Sequence, residues 1–168
     1  MLRIEAQPWA RMVEHARATY PDECVGVMLG KQDGEIKTVS AAMAMENVNP
    51  GVRRQRYTLD SKDLLAAEDE AHRRGLTVIG IYHSHPDCGA YFSQTDLKNS
   101  CPWYSFVVLS IRKRKLADGN SWLPDAEQTR ADPELLRVGR GFQTVQQWIR
   151  SNRNGQGTHS YSSQAVRR

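Results

Sequence analysis

Two histidines one residue apart, His83 and His85, directly follow the apolar run Leu76-Thr77-Val78-Ile79-Gly80-Ile81-Tyr82. The run is short, rich in β-branched residues and preceded by Arg74-Gly75, so it predicts a buried strand. At a strand end, residues i and i+2 point to the same side, so both imidazoles can converge on one point. A carboxylate arriving from the next segment, where Ser93-Gln94-Thr95-Asp96 follows, would complete three nitrogen and oxygen ligands. Three protein ligands plus an open position for water is the pattern of a catalytic zinc site. Two imidazoles favour zinc over magnesium. A lone histidine at a strand end is ordinarily a structural residue. The pair, with a serine and an aspartate downstream, favours a site.

The chain around this stretch alternates helix and strand. Trp9, Met12, Val13, Ala16 and Tyr20 recur at helical spacing over Pro8 to Tyr20, with Pro8 suited to a first helical position. Cys24 to Leu29 reads as a strand, Asp33-Gly34 as a turn, and Glu35 to Ala42 as the returning strand of a hairpin. Met43 to Tyr57 is irregular and carries Arg53, Arg54 and Arg56, a basic loop suited to solvent or to an acidic protein surface. Asp60 or Ser61 caps a second helix through Arg73, with Gly75 as its stop. Ser93 suits the cap of a short helix beginning near Gln94. Trp103 to Ile111 reads as a strand, and Arg112-Lys113-Arg114-Lys115 as a solvated turn or strand extension. Gly119 to Thr129 is expected to form a last edge strand. Asp132 to Leu136 is expected to start a helix, and Phe142 to Ile149 to form another. The alternation gives an α/β (α+β) fold, a mixed β-sheet sandwiched by helices. Residues 1–150 are expected to form one domain. Residues 151–168, rich in Asn, Gly, Gln, Ser and Arg, are expected to form a flexible basic tail.

Charge separates the two parts. The 168 residues carry a net charge of +4, yet from Leu135 onward there are six arginines and no acidic residue. The first 134 residues hold 17 basic and 19 acidic side chains. The basic character therefore belongs to the C-terminal end, and a nucleic-acid-binding face is not indicated. No apolar run approaches a membrane span, and the N-terminus has no signal-peptide core. Three cysteines, Cys24, Cys88 and Cys101, are too few for a disulfide framework. The reading is a cytoplasmic protein. Cys88 falls close to the proposed metal, where a thiol could be redox-sensitive, although a plain loop cysteine is the simpler reading.

The motif His83-x-His85-Pro86, seven residues (86–92), then Ser93-x-x-Asp96 resembles the signature of the JAMM (MPN-plus, Mov34/PAD-1) metalloproteases. So does the upstream stretch Pro21-Asp22-Glu23-Cys24-Val25-Gly26, which matches that family's Pro-x-Glu-x-x-Gly setting. The two separated motifs agree in order and spacing, and the resemblance covers roughly residues 1–115. It implies one Zn2+ held by His83, His85 and Asp96. It implies that Glu23 is the general acid/base, serving water and then the leaving amine, and that Ser93 stabilises the oxyanion. It also implies that the irregular stretch after residue 43 can pair strand-on-strand with an extended substrate tail.

A compact chain of this kind looks like the bacterial and archaeal members, whose substrates are ubiquitin-like or sulfur-carrier proteins of the β-grasp fold. The implied activity is an isopeptidase or peptidase that cleaves after the modifier's C-terminal glycine. Deconjugation, precursor processing and release of an amino acid from a sulfur carrier all remain open. The rival readings are a metal-free MPN scaffold that only binds partners and a different zinc hydrolase. The His-x-Glu and Pro-Cys-x-x-Cys elements of deaminases are absent, as is the His-Glu-x-x-His of helical zinc proteases. The arginine-rich tail could recruit an acidic partner or simply aid solubility.

Overall fold

The computed structural model describes residues 1–153. Among these, eight strands form one mixed sheet in the order β7-β6-β5-β4-β2-β3-β1-β8. In chain order the elements are β1 (Leu2–Ile4), α1 (Ala6–Thr19), β2 (Val25–Asp33), β3 (Ile36–Met45), α2 (Ser61–Arg73) and β4 (Thr77–Pro86). There follow α3 (Gln94–Lys98), β5 (Ser105–Arg112), β6 (Lys115–Pro124), β7 (Ala131–Glu134), β8 (Leu136–Val138) and α4 (Val145–Arg153).

The sheet buries both faces, and strand alternation divides its side chains between two cores. On β5, Val107, Leu109 and Ile111 join Trp9, Met12, Val13 and Ala16 of α1 and Val145 and Ile149 of α4. Phe106 faces the other way and joins Val25, Val27 and Leu29 of β2 with Ala67 and Ala71 of α2. Helices therefore cover both faces, as the alternation of elements implies. The β2–β3 hairpin turns at Gly34, whose φ of 56° is the left-handed region that glycine adopts without strain.

β4 occupies the middle of the sheet, antiparallel to β2 and parallel to β5. It is longer than the apolar run suggests. His83 and His85 lie inside the paired strand, opposite Val108 and Ser110 of β5. Both are fixed by ladder hydrogen bonds rather than hanging from a strand end. Val25 of β2 pairs with His83 on the other side, which brings Glu23, two residues earlier, beside the histidines.

Three expectations beyond residue 115 are corrected. The strand placed at residues 119–129 begins at Lys115 and is internal, because β7 pairs along its outer side. Asp132 to Leu136 is no helix start. Ala131–Glu134 pairs with β6, and Leu136–Val138 crosses to the opposite edge to pair with β1. Pro133 lies on edge strand β7, where a missing N–H is tolerated. Burial of Leu136 and Val138 against the N-terminal strand outweighs local helix preference. The last helix starts at Val145 rather than Phe142, since Gly141 and Phe142 have φ of 73° and 49°, outside helical geometry. It continues through Arg153, past the boundary expected at residue 150. The remainder of the expected tail, 154–168, lies outside the described residues.

Candidate active site

The central strand presents His83 and His85, and the first turn of α3 presents Asp96. The two Nε2 atoms stand 3.2 Å apart. Asp96 Oδ1 lies 3.4 Å from His83 Nε2, and Oδ2 lies 3.8 Å from His85 Nε2. All three side chains are buried. Their ligand atoms lie within 4.8 Å of one another.

The set fits a metal ion. His85 Nδ1 donates to the carbonyl of Gly89 at 2.9 Å, which leaves its Nε2 a bare lone pair when the ring is neutral. A metal-bound imidazole is commonly oriented by such a bond. Burial pushes the pKa of His83 down, although Asp96 opposes it, so this ring favours the neutral form that ligates. Burial would lower His85 as well, but its hydrogen bonds to Asp96 and Gly89 and the nearby carboxylates outweigh it and raise that pKa, so a metal ion there displaces a proton. His83 Nδ1 is buried with no hydrogen-bond partner. Its ring lies instead against Tyr57, centroids 4.7 Å apart and planes inclined by 34°. Burial would raise the carboxyl of Asp96. The neighbouring histidines and the Ser93 hydroxyl outweigh it and hold that carboxyl far below the ordinary carboxylate range. Two lone pairs and a carboxylate turned on one buried point are the donors that zinc takes.

A capping box positions Asp96. Ser93 N donates to Asp96 Oδ2 at 2.8 Å, the Ser93 hydroxyl donates to the same oxygen at 2.6 Å, and Asp96 N donates back to Ser93 Oγ at 3.1 Å. The serine is therefore both the helix cap and the clamp on the carboxylate. In this arrangement its single hydroxyl proton is directed at Asp96.

Glu23 reaches the same cleft from the other side. Its backbone N–H donates to Arg53 O at 2.9 Å. Its carbonyl accepts from Asn47 Nδ2 at 3.0 Å. That amide also donates to Arg56 O at 3.1 Å, while Asn47 Oδ1 accepts from the N–H groups of Asn49 and Thr58 at 3.1 Å each. Asn47 is buried, and this one side chain holds the loop of residues 47–58 around Glu23. Burial, opposed by His85 and reinforced by Asp96, pushes the Glu23 carboxyl up to about 8. A carboxyl so raised can take and return a proton near neutral pH.

Glu23, His85, Ser93 and Asp96 line one cleft of about 310 Å³, with Tyr57 and Tyr91 on its sides. His83 sits behind it, fully buried. All five residues singled out from the sequence thus meet in one place. Cys88 also lines the cleft. Of the basic loop, Arg54 and Arg56 line the cleft, and Arg54 is paired with Asp87 at 3.0 Å. No residue from 46 to 60 forms a strand. Asn47 and Tyr57 were not foreseen. Asn47 in Asn47-Val48-Asn49-Pro50 has the look of a turn residue, and nothing local marks its long-range bonds.

The family model described as prokaryotic homologs of the JAB domain matches residues 5–124. A desampylase of Haloferax volcanii is 32% identical over 129 residues, spanning 74% of this chain and 89% of the relative. A CysO-cysteine peptidase of Mycobacterium tuberculosis is 32% identical over 113 residues, spanning 67% of this chain and 75% of the relative. Among solved structures, a Desulfitobacterium hafniense protein superposes with a TM-score of 0.72 at 24% identity, over 82% of this chain and 92% of the other.

Proposed function

Since the chain belongs to the prokaryotic JAB-domain branch of the JAMM/MPN family, we propose that it is a zinc peptidase cleaving after the C-terminal glycine of a ubiquitin-like or sulfur-carrier protein. The observation that carries this reading is the convergence of three buried ligating groups with a raised carboxyl in one cleft. The names of the relatives, a desampylase and a CysO-cysteine peptidase, support the substrate class.

In this reading His83, His85 and Asp96 hold one zinc ion. Zinc bound there would acidify a water molecule and polarise the scissile carbonyl. Glu23 accepts the proton of the attacking water and returns it to the departing amine. Its buried position keeps the carboxyl near the pKa that both transfers need. Asn47 fixes the main chain of Glu23, so the carboxyl starts from a constant place. The Ser93 hydroxyl orients Asp96 in the resting arrangement. Turned toward substrate, its proton would stabilise the oxyanion. Among the described residues no helix is long and apolar enough to cross a membrane, and we place the protein in the cytoplasm.

A trap tests the substrate class. Zinc-loaded protein carrying Glu23→Ala would be used to capture partners from an extract of its own cells, read by mass spectrometry. Enrichment of a small protein ending in glycine, alone or joined to a target, supports the reading. Loaded protein that captures nothing of that kind would restrict the activity to short peptides.

A further inference from the structure

Exposed cations gather beside the cleft, at the end of the sheet where β4 and β5 stop side by side. Asp87, the residue after β4, stands among them. Its Oδ2 accepts from Arg54 Nη2 at 3.0 Å and from the Tyr20 hydroxyl at 2.9 Å. The Arg114 guanidinium lies over the Tyr20 ring, 5.6 Å from the centroid. Arg17 Nε donates to Arg114 O at 3.0 Å. Arg54 lines the cleft. The contacts therefore run as a band from the cleft rim, past the C-terminal end of α1, to the turn between β5 and β6.

Charge, order and backbone geometry set this band apart from an ordinary solvated face. Arg17, Arg54, Lys113 and Arg114 are offset by Asp87 alone, and among the described residues Arg17, Lys113 and Arg114 have no acidic partner. Three of the cations are already held in place, Arg54 by a carboxylate, Arg114 by a ring and Arg17 by a carbonyl. Little side-chain freedom is left for them to lose on binding a partner. Lys113 and Arg114 form the turn with φ of 49° and 61°. Asn-Gly would make such a turn with less strain, yet this chain places two long cations there.

On the proposed function, on which this inference rests, all substrates of the cleft share one part. The group that leaves glycine differs between a conjugate, a precursor and a carrier, whereas the glycine-terminated protein is common to them. A surface fixed beside the cleft serves that constant partner. We propose that the band is a docking surface for an acidic face on the folded body of the glycine-terminated protein, upstream of its tail. Opposite charge steers that body onto the band and sets its orientation, and the tail enters the cleft past Arg54.

Binding to zinc-loaded Glu23→Gln protein tests the surface without turnover. The probes are fluorescent peptides with a central Gly-Gly pair. One carries a hexaglutamate block before the pair on a short flexible spacer, one carries it after the pair, and one carries hexaglutamine before it. The first should bind about 10-fold tighter than either of the others at low salt, as expected of a few exposed ion pairs together. Raised salt should shrink the gap. Adding Arg17→Glu and Arg114→Glu should close it without changing affinity for the glutamine peptide. Lys113→Glu, at a side chain that makes no hydrogen bond or ion pair among the described residues, should narrow it several-fold with no risk to the Tyr20 contact. Arg73→Glu with Arg74→Glu on α2, against the opposite face of the sheet, makes the same change in net charge and should leave it intact. Equal affinities, tighter binding of the block placed after the glycines, or equal loss in the α2 control overturns the surface. So does an oligothymidylate that outcompetes the acidic peptide at these residues, which would assign the band to nucleic acid. The parent reading is scored separately with wild-type enzyme. Cleavage of the probes with equal affinities sinks the surface and leaves the peptidase standing. Charge-dependent binding with no cleavage of any probe sinks the peptidase and leaves the surface.

Discussion

The two walls of the cleft are made in opposite ways. The wall carrying Ser93 and Asp96 is a helix start whose defining bonds span three residues. Once α3 forms, the carboxylate is aimed. The wall carrying Glu23 is assembled from distant chain, with Asn47 bonding a carbonyl 24 positions away. It exists only when β2, β4 and the loop of residues 47–58 are in place together. The difference teaches where each function can fail. On the proposed function, the ligand wall is robust to distant change, and the acid/base wall depends on one buried amide.

The largest effect should come from breaking the ligand wall directly. Asp96→Ala removes one of the three proposed metal donors and leaves the Ser93 N–H and hydroxyl without their acceptor. Zinc affinity should fall by more than about 100-fold, since even the loss of an outer-shell partner commonly costs 10- to 100-fold. Titration against a chromophoric chelator reads it, and unchanged affinity would remove Asp96 from the ligand set.

Next comes the hub of the opposite wall. Asn47→Ala leaves two carbonyls and two N–H groups without their partner. Unfolding free energy should drop by roughly 2–3 kcal/mol, the range for stranding buried polar groups. Turnover should fall as Glu23 loses its anchor, while zinc stoichiometry stays the same. Loss of zinc together with turnover would mean that the walls are coupled, contrary to the comparison.

An effect smaller per unit of pH concerns protons. The folded Glu23 carboxyl titrates near 8, above the unfolded value of about 4.3. The folded chain therefore binds more protons between those values. Its contribution to stability is fully present below the unfolded pKa and is lost as pH rises through the folded one. Metal-free wild type should lose stability relative to Glu23→Gln between pH 5 and pH 8, by up to about 1.4 kcal/mol per pH unit. Parallel denaturation curves for the two proteins across that window would contradict the buried, protonated carboxyl.

The smallest effect separates the two histidines. Gly89 orients His85 by a hydrogen bond, whereas Tyr57 holds His83 by ring contact. Tyr57→Ala should weaken zinc binding by about 10-fold, at the low end for outer-shell partners. Tyr57→Phe, which keeps the ring, should not. Equal losses in both variants would assign the effect to the hydroxyl.

The same contrast explains what could be read from the sequence. His83, His85, Ser93 and Asp96 lie within fourteen consecutive residues, and strand period and helix capping are local rules, so their meeting was legible. Glu23 became legible only through its own motif. Asn47 and Tyr57 act through contacts that no local pattern encodes. The central strands and α1 and α2 announce themselves by periodicity and caps. β1, β7 and β8 are only three or four residues long, and each is a strand because another lies beside it. Asp132-Pro133-Glu134 has the composition of a helix start, yet pairing with Ser121 to Leu123 decides its state. The turn before α4 hides in Phe142, a bulky residue with positive φ.

The central claim is that one wall holds the metal and the other moves the proton. The most direct measurement is zinc content and cleavage for Glu23→Gln beside wild type, on a ubiquitin-like protein extended beyond its terminal glycine. The account predicts one zinc per chain in both proteins and a loss of turnover of at least about 10³-fold in the variant, within the range for a lost general base. A Gln variant that cleaves at close to the wild-type rate would contradict it.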